Sequence, residues 1–328
     1  MATYKEIHGT NIEVVSSDPS NPVEGQLWYN TSTNKVKGFL ISAGSWATSD
    51  VMNTGRGQLA GGGTQTAALA FGGRQGSPGF AWSTLTESYN GSAWTAVNVL
   101  NTGRAKLGGA GTNTSSLAFG GSTPGKTAAT ESWNGSNWTN VNSLNSPRET
   151  LAGSGVSNTS SLAFGGGDGN AGTTTGATET WNGSNWSTVN PLNVARQGLA
   201  GVGTQTAALA FGSTQPVTYH YAELWNGSNW TAVNPTNSDL GLRAGSGTST
   251  NALAFGGQPY TAPPTGVESW NGTNWTNVTS LGTKRYGPGG AGVSNSSALC
   301  FAGNIGGPPT ATTEKWNAGP ATVNFATS

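Results

Sequence analysis

The sequence predicts an all-β protein, a six-bladed β-propeller with four antiparallel strands in each blade. Only 9% of the 328 residues are charged and 52 are glycine, whereas an ordinary soluble domain has roughly 25% charged residues. Disordered chains share low hydrophobicity but are poor in aromatic residues, and this chain carries 13 tryptophans at regular positions. No stretch has the periodicity of an amphipathic helix. These observations favour a folded, repetitive β structure.

Internal repeats set the predicted architecture. Each repeat contains Leu-Ala-Phe-Gly-Gly or a close variant, and successive phenylalanines lie 44 to 48 residues apart. The phenylalanines are Phe71, Phe119, Phe164, Phe211, Phe255 and Phe301. A glutamate, an aromatic residue and, in five repeats, a second tryptophan follow each phenylalanine. Repeats of this length with four strands each indicate a propeller.

The second repeat illustrates the predicted strands. Residues 107–112 are small and suit the crowded centre, where blades approach one another, and residues 116–120 form the second strand. The third strand ends at Trp133, and the fourth spans residues 138–141. Asn134-Gly135 between them predicts a type I′ hairpin turn, which needs positive φ at both central residues.

This pattern resembles the kelch repeat over about residues 38–328. An arginine opens that repeat, paired glycines end an apolar strand, and a strand bearing glutamate and an aromatic residue precedes a tryptophan. In the second unit these places are held by Arg104, Gly120-Gly121, Glu131, Trp133 and Trp138. Gly212-Ser213 and Ala302-Gly303 depart from the double glycine. The resemblance implies a kelch-like propeller.

The chain ends predict how the ring closes. Trp46-Ala47-Thr48 stands before Arg56 as Trp94-Thr95-Ala96 stands before Arg104, while the last repeat lacks its second tryptophan. We therefore expect the strand around Trp46 to complete the sixth blade, which would remove an unpaired edge.

Residues 1–37 fall outside the repeat and are expected to be a separate docking or capping segment. Residues 26–29 predict a strand, and a turn at residues 31–34 leads into residues 35–37 as a hairpin. The run Pro22-Val23-Glu24-Gly25-Gln26-Leu27-Trp28-Tyr29-Asn30-Thr31 resembles a segment common in bacteriophage tail and fibre proteins. The resemblance implies a virion protein that contacts other virion proteins through residues 1–37. The alternative is a cap on the propeller.

An arginine and a glutamate recur in every repeat. Because a buried carboxylate requires a charged or hydrogen-bonded partner, and arginine is well shaped to supply one, we predict structural ion pairs within the blades. The alternative is a charged channel that binds an ion or an anionic sugar. The residues are Arg56, Arg104, Arg148, Arg196, Arg243 and Arg285, with Glu87, Glu131, Glu179, Glu223, Glu268 and Glu314.

The reactive side chains predict no enzyme, no metal site and no cofactor. Metal centres need several converging ligands, but the chain has only His8, His220 and Cys300 as histidine and cysteine. Cys300 is expected to be an inert core thiol. Glycoside hydrolysis requires two carboxylates about 5–10 Å apart, and the acids outside the pattern lie in different repeats. These are Asp50, Glu149, Asp168 and Asp239. A pair across neighbouring loops, and with it a glycan-processing enzyme, stays open.

Charge and hydropathy exclude two classes of partner. The net charge is zero without a basic cluster, so we expect no nucleic-acid partner. No run of about 18 apolar residues exists, so no helix is expected to insert into a membrane. The N-terminus has no apolar stretch typical of a signal peptide. Synthesis in the cytosol is therefore expected.

The segments between second and third strands differ most between repeats and are the predicted recognition loops. They are residues 74–84, 122–129, 167–177, 213–222, 258–266 and 304–312. Aromatic side chains there suit sugar rings or a partner protein; the alternative is that they fold back over blade edges. The tentative ligand-binding residues are Phe80, Trp82, Tyr219, His220, Tyr221 and Tyr260.

Together these features predict a non-enzymatic bacteriophage virion protein of a tail, fibre or surface decoration, assembled in the host cytoplasm. Its propeller would present one loop face to a host surface glycan or a protein. A purely structural component packed on sister subunits is the first alternative, and homo-oligomerisation is left open.

Overall fold

A computed structural model describes residues 12–20, 26–41, 44–76, 81–167, 173–214, 220–258 and 265–324. Within these ranges the protein is all-β and has no helix. Contacts divide the chain into two compact units, one of Met1–Gly44 with Ala318–Ser328, the other of Ser45–Asn317. The sequence predicted a boundary after residue 37, whereas the contacts place it after Gly44. The reason is that a strand that begins at Lys35 continues to Ile41 and pairs with residues near the C-terminus.

The larger unit consists of six four-stranded antiparallel sheets. Sheet 1 contains β5 (Ala60–Gly63), β6 (Ala68–Phe71), β7 (Thr86–Tyr89) and β8 (Trp94–Val97). Sheet 2 contains β9 (Gly108–Gly111), β10 (Ser116–Phe119), β11 (Thr130–Trp133) and β12 (Trp138–Val141). Sheet 3 contains β13 (Ala152–Ser157), β14 (Ser160–Phe164), β15 (Thr178–Trp181) and β16 (Trp186–Val189).

The other three sheets repeat this order. Sheet 4 contains β17 (Ala200–Gly203), β18 (Ala208–Phe211), β19 (Ala222–Trp225) and β20 (Trp230–Val233). Sheet 5 contains β21 (Ala244–Gly247), β22 (Ala252–Phe255), β23 (Val267–Trp270) and β24 (Trp275–Val278). Sheet 6 contains β25 (Gly289–Ser294), β26 (Ser297–Phe301), β27 (Thr313–Asn317) and β4 (Ser45–Ser49). The outer strand of sheet 6 thus comes from the beginning of the chain, and Trp46 stands opposite Trp316 as expected.

Glycine in the first strand of each sheet allows the neighbouring sheet to approach. A Cβ atom on Gly109 of sheet 2 would lie 2.7 Å from Cζ of Phe71 in sheet 1. A Cβ atom on Gly61 of sheet 1 would lie 2.5 Å from Cζ of Phe301 in sheet 6. Such distances leave no room for a larger residue, which explains the small residues predicted here. The first strands contact one another in the order β5, β9, β13, β17, β21 and β25, and β25 contacts β5.

A tryptophan on each fourth strand packs against the preceding sheet. The Trp138 ring lies 5.0 Å from the Phe71 ring, and its Nε1 donates a hydrogen bond of 3.0 Å to Oγ1 of Thr86. Trp94, Trp186 and Trp230 make the same bond to Thr313, Thr130 and Thr178. In sheets 4 and 5 the position of this threonine holds Ala222 and Val267, respectively. The corresponding indole nitrogens, of Trp275 and Trp46, are buried without a hydrogen-bond partner.

The turn between third and fourth strands differs from the predicted type I′ turn. Trp133 pairs with Trp138, so the loop has four residues, 134–137. Only Gly135 has positive φ, at 93°. The side chain of Asn134 accepts hydrogen bonds from the backbone N–H groups of Ser136 and Asn137 at 3.0 and 2.9 Å. Because this side chain closes the turn, Asn134 need not adopt a left-handed conformation.

The smaller unit contains a further four-stranded sheet. In it β1 (Glu13–Val15) pairs in parallel with β2 (Leu27–Asn30), which pairs antiparallel with β3 (Lys35–Ile41). The last strand, β28 (Pro320–Asn324), lies antiparallel to β3. The predicted hairpin is therefore confirmed, and two additional strands extend it into a sheet.

Candidate functional site

The linkers that lead into the first strands are held by the predicted ion pairs. Arg56 Nη2 donates to Glu87 Oε1 at 2.9 Å, and both side chains are buried. The other carboxylate oxygen accepts the backbone N–H of Asn53 at 2.7 Å. Arg56 Nη1 donates to the carbonyls of Gly72 and Leu85 at 2.9 and 2.6 Å. One carboxylate therefore binds two residues of the linker, Asn53 through its backbone and Arg56 through its side chain.

The same pairing recurs in the other five sheets. The pairs are Arg104–Glu131 at 2.7 Å, Arg148–Glu179 at 2.5 Å, Arg243–Glu268 at 2.6 Å, Arg196–Glu223 and Arg285–Glu314. Burial lowers the pKa of Arg56, Arg104, Arg148, Arg196 and Arg243, while the adjacent glutamates raise it. The arrangement pairs a buried arginine with a buried carboxylate inside each sheet and fixes the backbone that carries the loops. The Nε atoms of five arginines are buried without a hydrogen-bond partner; these are Arg56, Arg104, Arg148, Arg196 and Arg243.

Arg243 reaches its glutamate from an unexpected backbone position. In sheet 1 the arginine lies four residues before the first strand, and Leu59 lies directly before that strand. In sheet 5 the two residues are exchanged: Leu240 lies four residues before the first strand and Arg243 directly before it. The Leu240 carbonyl packs against Gly212 in the same way as the Arg104 carbonyl packs against Gly72, so Leu240 occupies the backbone position of the arginine. Arg243 consequently lines a cavity between the first strands, at the level where the other five sheets place leucine or proline.

Backbone hydrogen bonds connect the six linkers in a cycle. The residues are Gln58, Lys106, Thr150, Gly198, Leu242 and Gly287, here called the mouth ring. The N–H of each donates to the carbonyl of the preceding one at 2.7–2.9 Å, and Gln58 N–H donates to Gly287 at 2.8 Å. These six bonds join residues from six different sheets.

The mouth ring has a strained backbone. The φ angles of Gln58, Lys106, Thr150 and Leu242 are 56°, 56°, 55° and 51°. A left-handed conformation costs a residue other than glycine about 1–2 kcal/mol. Within the described ranges only Asn34 and Ala302 are further non-glycine residues with positive φ. Backbone strain of this kind is characteristic of functional sites.

A cavity of about 180 Å³ opens at the mouth ring, and Thr214 and Gln258 of two predicted recognition loops line it. Its lining is polar apart from Leu242 and consists of Gln58, Lys106, Glu149, Thr150, Gln197, Thr214, Leu242 and Gln258. Lys106 Nζ lies 2.6 Å from Glu149 Oε1 in a partly buried ion pair. The cavity thus offers amide, hydroxyl and paired charged groups within one small volume.

The aromatic residues predicted to bind a ligand are only partly described. Phe80, Tyr219 and Tyr260 lie outside the described residues. Trp82 is half-buried, and the guanidinium carbon of Arg74 lies 5.5 Å from the centre of its ring. This contact satisfies the geometry of a cation–π interaction, and it engages Trp82 within its own loop.

Two further loop residues form a pair that the sequence did not indicate. His220 Nδ1 lies 2.5 Å from Asp239 Oδ1, and both side chains are exposed. The neighbouring Tyr221 is exposed by 40%. Among the described residues, no group of three histidine, cysteine or acidic side chains could hold a metal ion. Burial raises the pKa of the Cys300 thiol to about 12, which leaves it protonated at neutral pH.

The smaller unit is organised around one carboxylate. Asp18 accepts hydrogen bonds from Lys37 Nζ at 2.7 Å, Trp28 Nε1 at 3.0 Å and Asn30 Nδ2 at 2.7 Å. The hydrogen bond from Lys37, followed by those from Trp28 and Asn30, lowers the pKa of Asp18 to about 2. These contacts give Trp28 and Asn30 a structural role, because both side chains hold Asp18 in the segment before β2.

The fold defines the class of the protein as an all-β chain of repeated four-stranded antiparallel sheets, consistent with propeller-like repeats. No protein-family model matches the sequence, and a comparison with curated proteins gives no match. In the part of the chain that the structure describes, no helix is long and apolar enough to cross a membrane.

Proposed function

We propose that residues 45–317 form a closed, six-bladed, kelch-like β-propeller. Three cyclic sets of contacts support this proposal: the first strands, the phenylalanine–glycine packing and the mouth ring each lead from sheet 6 back to sheet 1. The strand of Trp46 would join both ends of the propeller within one sheet.

Truncation tests the closure. We expect residues 45–317 to unfold near the temperature of the full chain, and residues 51–317 to unfold well below it, because the second truncation leaves Trp316 without its partner strand. Thermal unfolding followed by tryptophan fluorescence measures both. Equal melting temperatures for the two truncations would contradict the proposal.

The proposed function is that of a non-enzymatic bacteriophage virion protein, in a tail, fibre or surface decoration. The observation that carries the recognition role is a polar cavity beside variable loops, on linkers held by buried ion pairs. The virion role is supported by the resemblance of residues 22–31 to tail and fibre segments. Such a rigid frame with variable loops is suited to recognition. A host surface glycan or a protein would bind there, and residues 1–37 would contact other virion proteins.

A glycan array probed with the full chain tests the binding role, with His220→Ala and Tyr221→Ala as loop-face variants. Binding that these variants weaken supports the proposal. Electron microscopy of the assembled particle tests the structural alternative: loops covered by sister subunits, with no glycan bound on the array, would replace recognition by packing. Release of sugars from a bound glycan would instead favour a glycan-processing enzyme.

A further inference from the structure

The backbone of the mouth ring would be less strained with glycine at all six positions, but four positions hold residues with side chains. The cyclic hydrogen bonds use only N–H and carbonyl groups, so glycine could make all of them, as Gly198 and Gly287 do. Glycine also adopts positive φ without steric cost. The side chains of Gln58, Lys106 and Thr150 therefore add nothing to the ring, but they do line the cavity.

Strain retained at a cavity indicates that the side chains serve a ligand. The amides of Gln58, Gln197 and Gln258 make no side-chain hydrogen bond to another described residue. An amide both donates and accepts hydrogen bonds, and Thr150 adds a hydroxyl with the same capacity. The Thr214 hydroxyl donates to the Gln197 carbonyl at 3.3 Å and can accept a further hydrogen bond. Groups of this kind match the hydroxyls of a sugar, each of which also donates and accepts.

The charges at the mouth favour a neutral ligand. Lys106 is the cation that lines this cavity, and its Nζ is paired with Glu149 at 2.6 Å. An anionic ligand would have to break this pair or leave the Glu149 carboxylate unpaired beside it. Leu242 supplies an apolar contact for the C–H face of a ring.

We propose that the mouth cavity binds one neutral, polyhydroxylated sugar ring, the terminal residue of a glycan. This inference rests on the proposed glycan-binding function and assigns it to Gln58, Thr150, Gln197, Thr214 and Gln258. The outer loops would contact the rest of the glycan.

Glycine substitution separates ligand binding from stability. Gln58→Gly and Thr150→Gly remove a cavity side chain and relieve a left-handed residue, so the full-length variants should melt at or above the wild-type temperature. Their affinity for a glycan that the wild type binds on an array should fall at least tenfold. Saturation-transfer NMR with methyl glycosides of neutral hexoses and N-acetylhexosamines measures the terminal sugar alone.

Ala302→Gly is the matched control, because it changes a left-handed residue at φ 59° that does not line the cavity. Its binding should equal that of the wild type. If glycan binding survives both mouth variants but is lost in His220→Ala, the mouth assignment is wrong and the proposed function stands. If the wild type binds neither glycans nor methyl glycosides, the mouth assignment and the glycan-binding role are both wrong. Binding of inorganic phosphate in preference to the glycosides would also overturn the mouth proposal.

Discussion

Replacing Val267 by threonine should stabilise the protein, because it supplies an acceptor that one buried indole lacks. In four sheets the tryptophan of the fourth strand donates to a threonine of the preceding sheet at 3.0–3.1 Å. In the sheet that precedes Trp46 the equivalent position holds Val267, and Nε1 of Trp46 is buried without a hydrogen bond. Threonine has nearly the shape of valine, so its hydroxyl can take the place used in the other sheets.

The magnitude follows from the cost of an unsatisfied buried donor, about 1–3 kcal/mol. The new hydroxyl also needs an acceptor for its own proton. In sheet 3 that acceptor is the Gly176 carbonyl, 3.3 Å from Thr178 Oγ1, and Thr265 occupies the corresponding position before Val267. We therefore expect a net gain of about 1–2 kcal/mol. This corresponds to a rise in melting temperature of roughly 2–4 °C per kcal/mol.

Equilibrium unfolding in urea, followed by tryptophan fluorescence, measures the change in the free energy of unfolding. Thr130→Val is the reverse substitution at Trp186 and should lose about 1–3 kcal/mol. Val267→Ala controls for side-chain volume and should be less stable than the wild type. If Val267→Thr is less stable than the wild type while Thr130→Val is unaffected, the indole hydrogen bond does not contribute as argued here.

Three further predictions concern charged groups. Arg148→Ala should lower the free energy of unfolding by about 3–5 kcal/mol, because it leaves the Glu179 carboxylate buried without its partner; wild-type stability in urea would contradict the buried pair. Arg243→Leu should be similarly destabilised, and adding Leu240→Arg should restore most of the loss by returning sheet 5 to the common register; a double variant no better than the single one would contradict this assignment. Asp18 has a lowered pKa, so its stabilisation of the smaller unit is present above about pH 4 and is lost as the pH falls towards about 2. NMR signals of the Trp28 indole should report this loss, and Asp18→Asn should abolish the dependence.

Much of the fold could be predicted because its signals are local and repeated. A glutamate and an aromatic residue, such as Glu131 and Trp133, recur two residues apart on the third strand of all six sheets. The strand of Trp46 carries the tryptophan of the other fourth strands at a different place along the chain. Each repeat therefore supplies independent evidence for the same strands, turns and ion pairs. The hairpin turn was predicted with the wrong type, since Asn-Gly indicates a turn but not whether the asparagine side chain closes it.

The candidate site could not be predicted in the same way. Gln58, Lys106, Thr150 and Leu242 lie in different repeats and share no residue type. Left-handed backbone has a sequence signal only where glycine or asparagine occurs, and these four residues are neither. One sequence signal did exist: two repeats have glycine, Gly198 and Gly287, at the position where the other four have Gln58, Lys106, Thr150 and Leu242.

The sequence alone therefore determined the strand pattern, the pairing of Trp46 with the last repeat and the residues of the ion pairs, since each depends on spacing within a repeat. The tertiary structure decided which residues of different repeats meet: the mouth ring, the Lys106–Glu149 and His220–Asp239 pairs, and the exchange of places by Leu240 and Arg243. The physical reason is that contacts between neighbouring sheets depend on how the backbones approach one another. The packing of glycine against phenylalanine that sets this approach recurs with the repeat. The side chains that it brings together at the mouth ring differ from repeat to repeat, so periodicity along the chain does not encode their contacts.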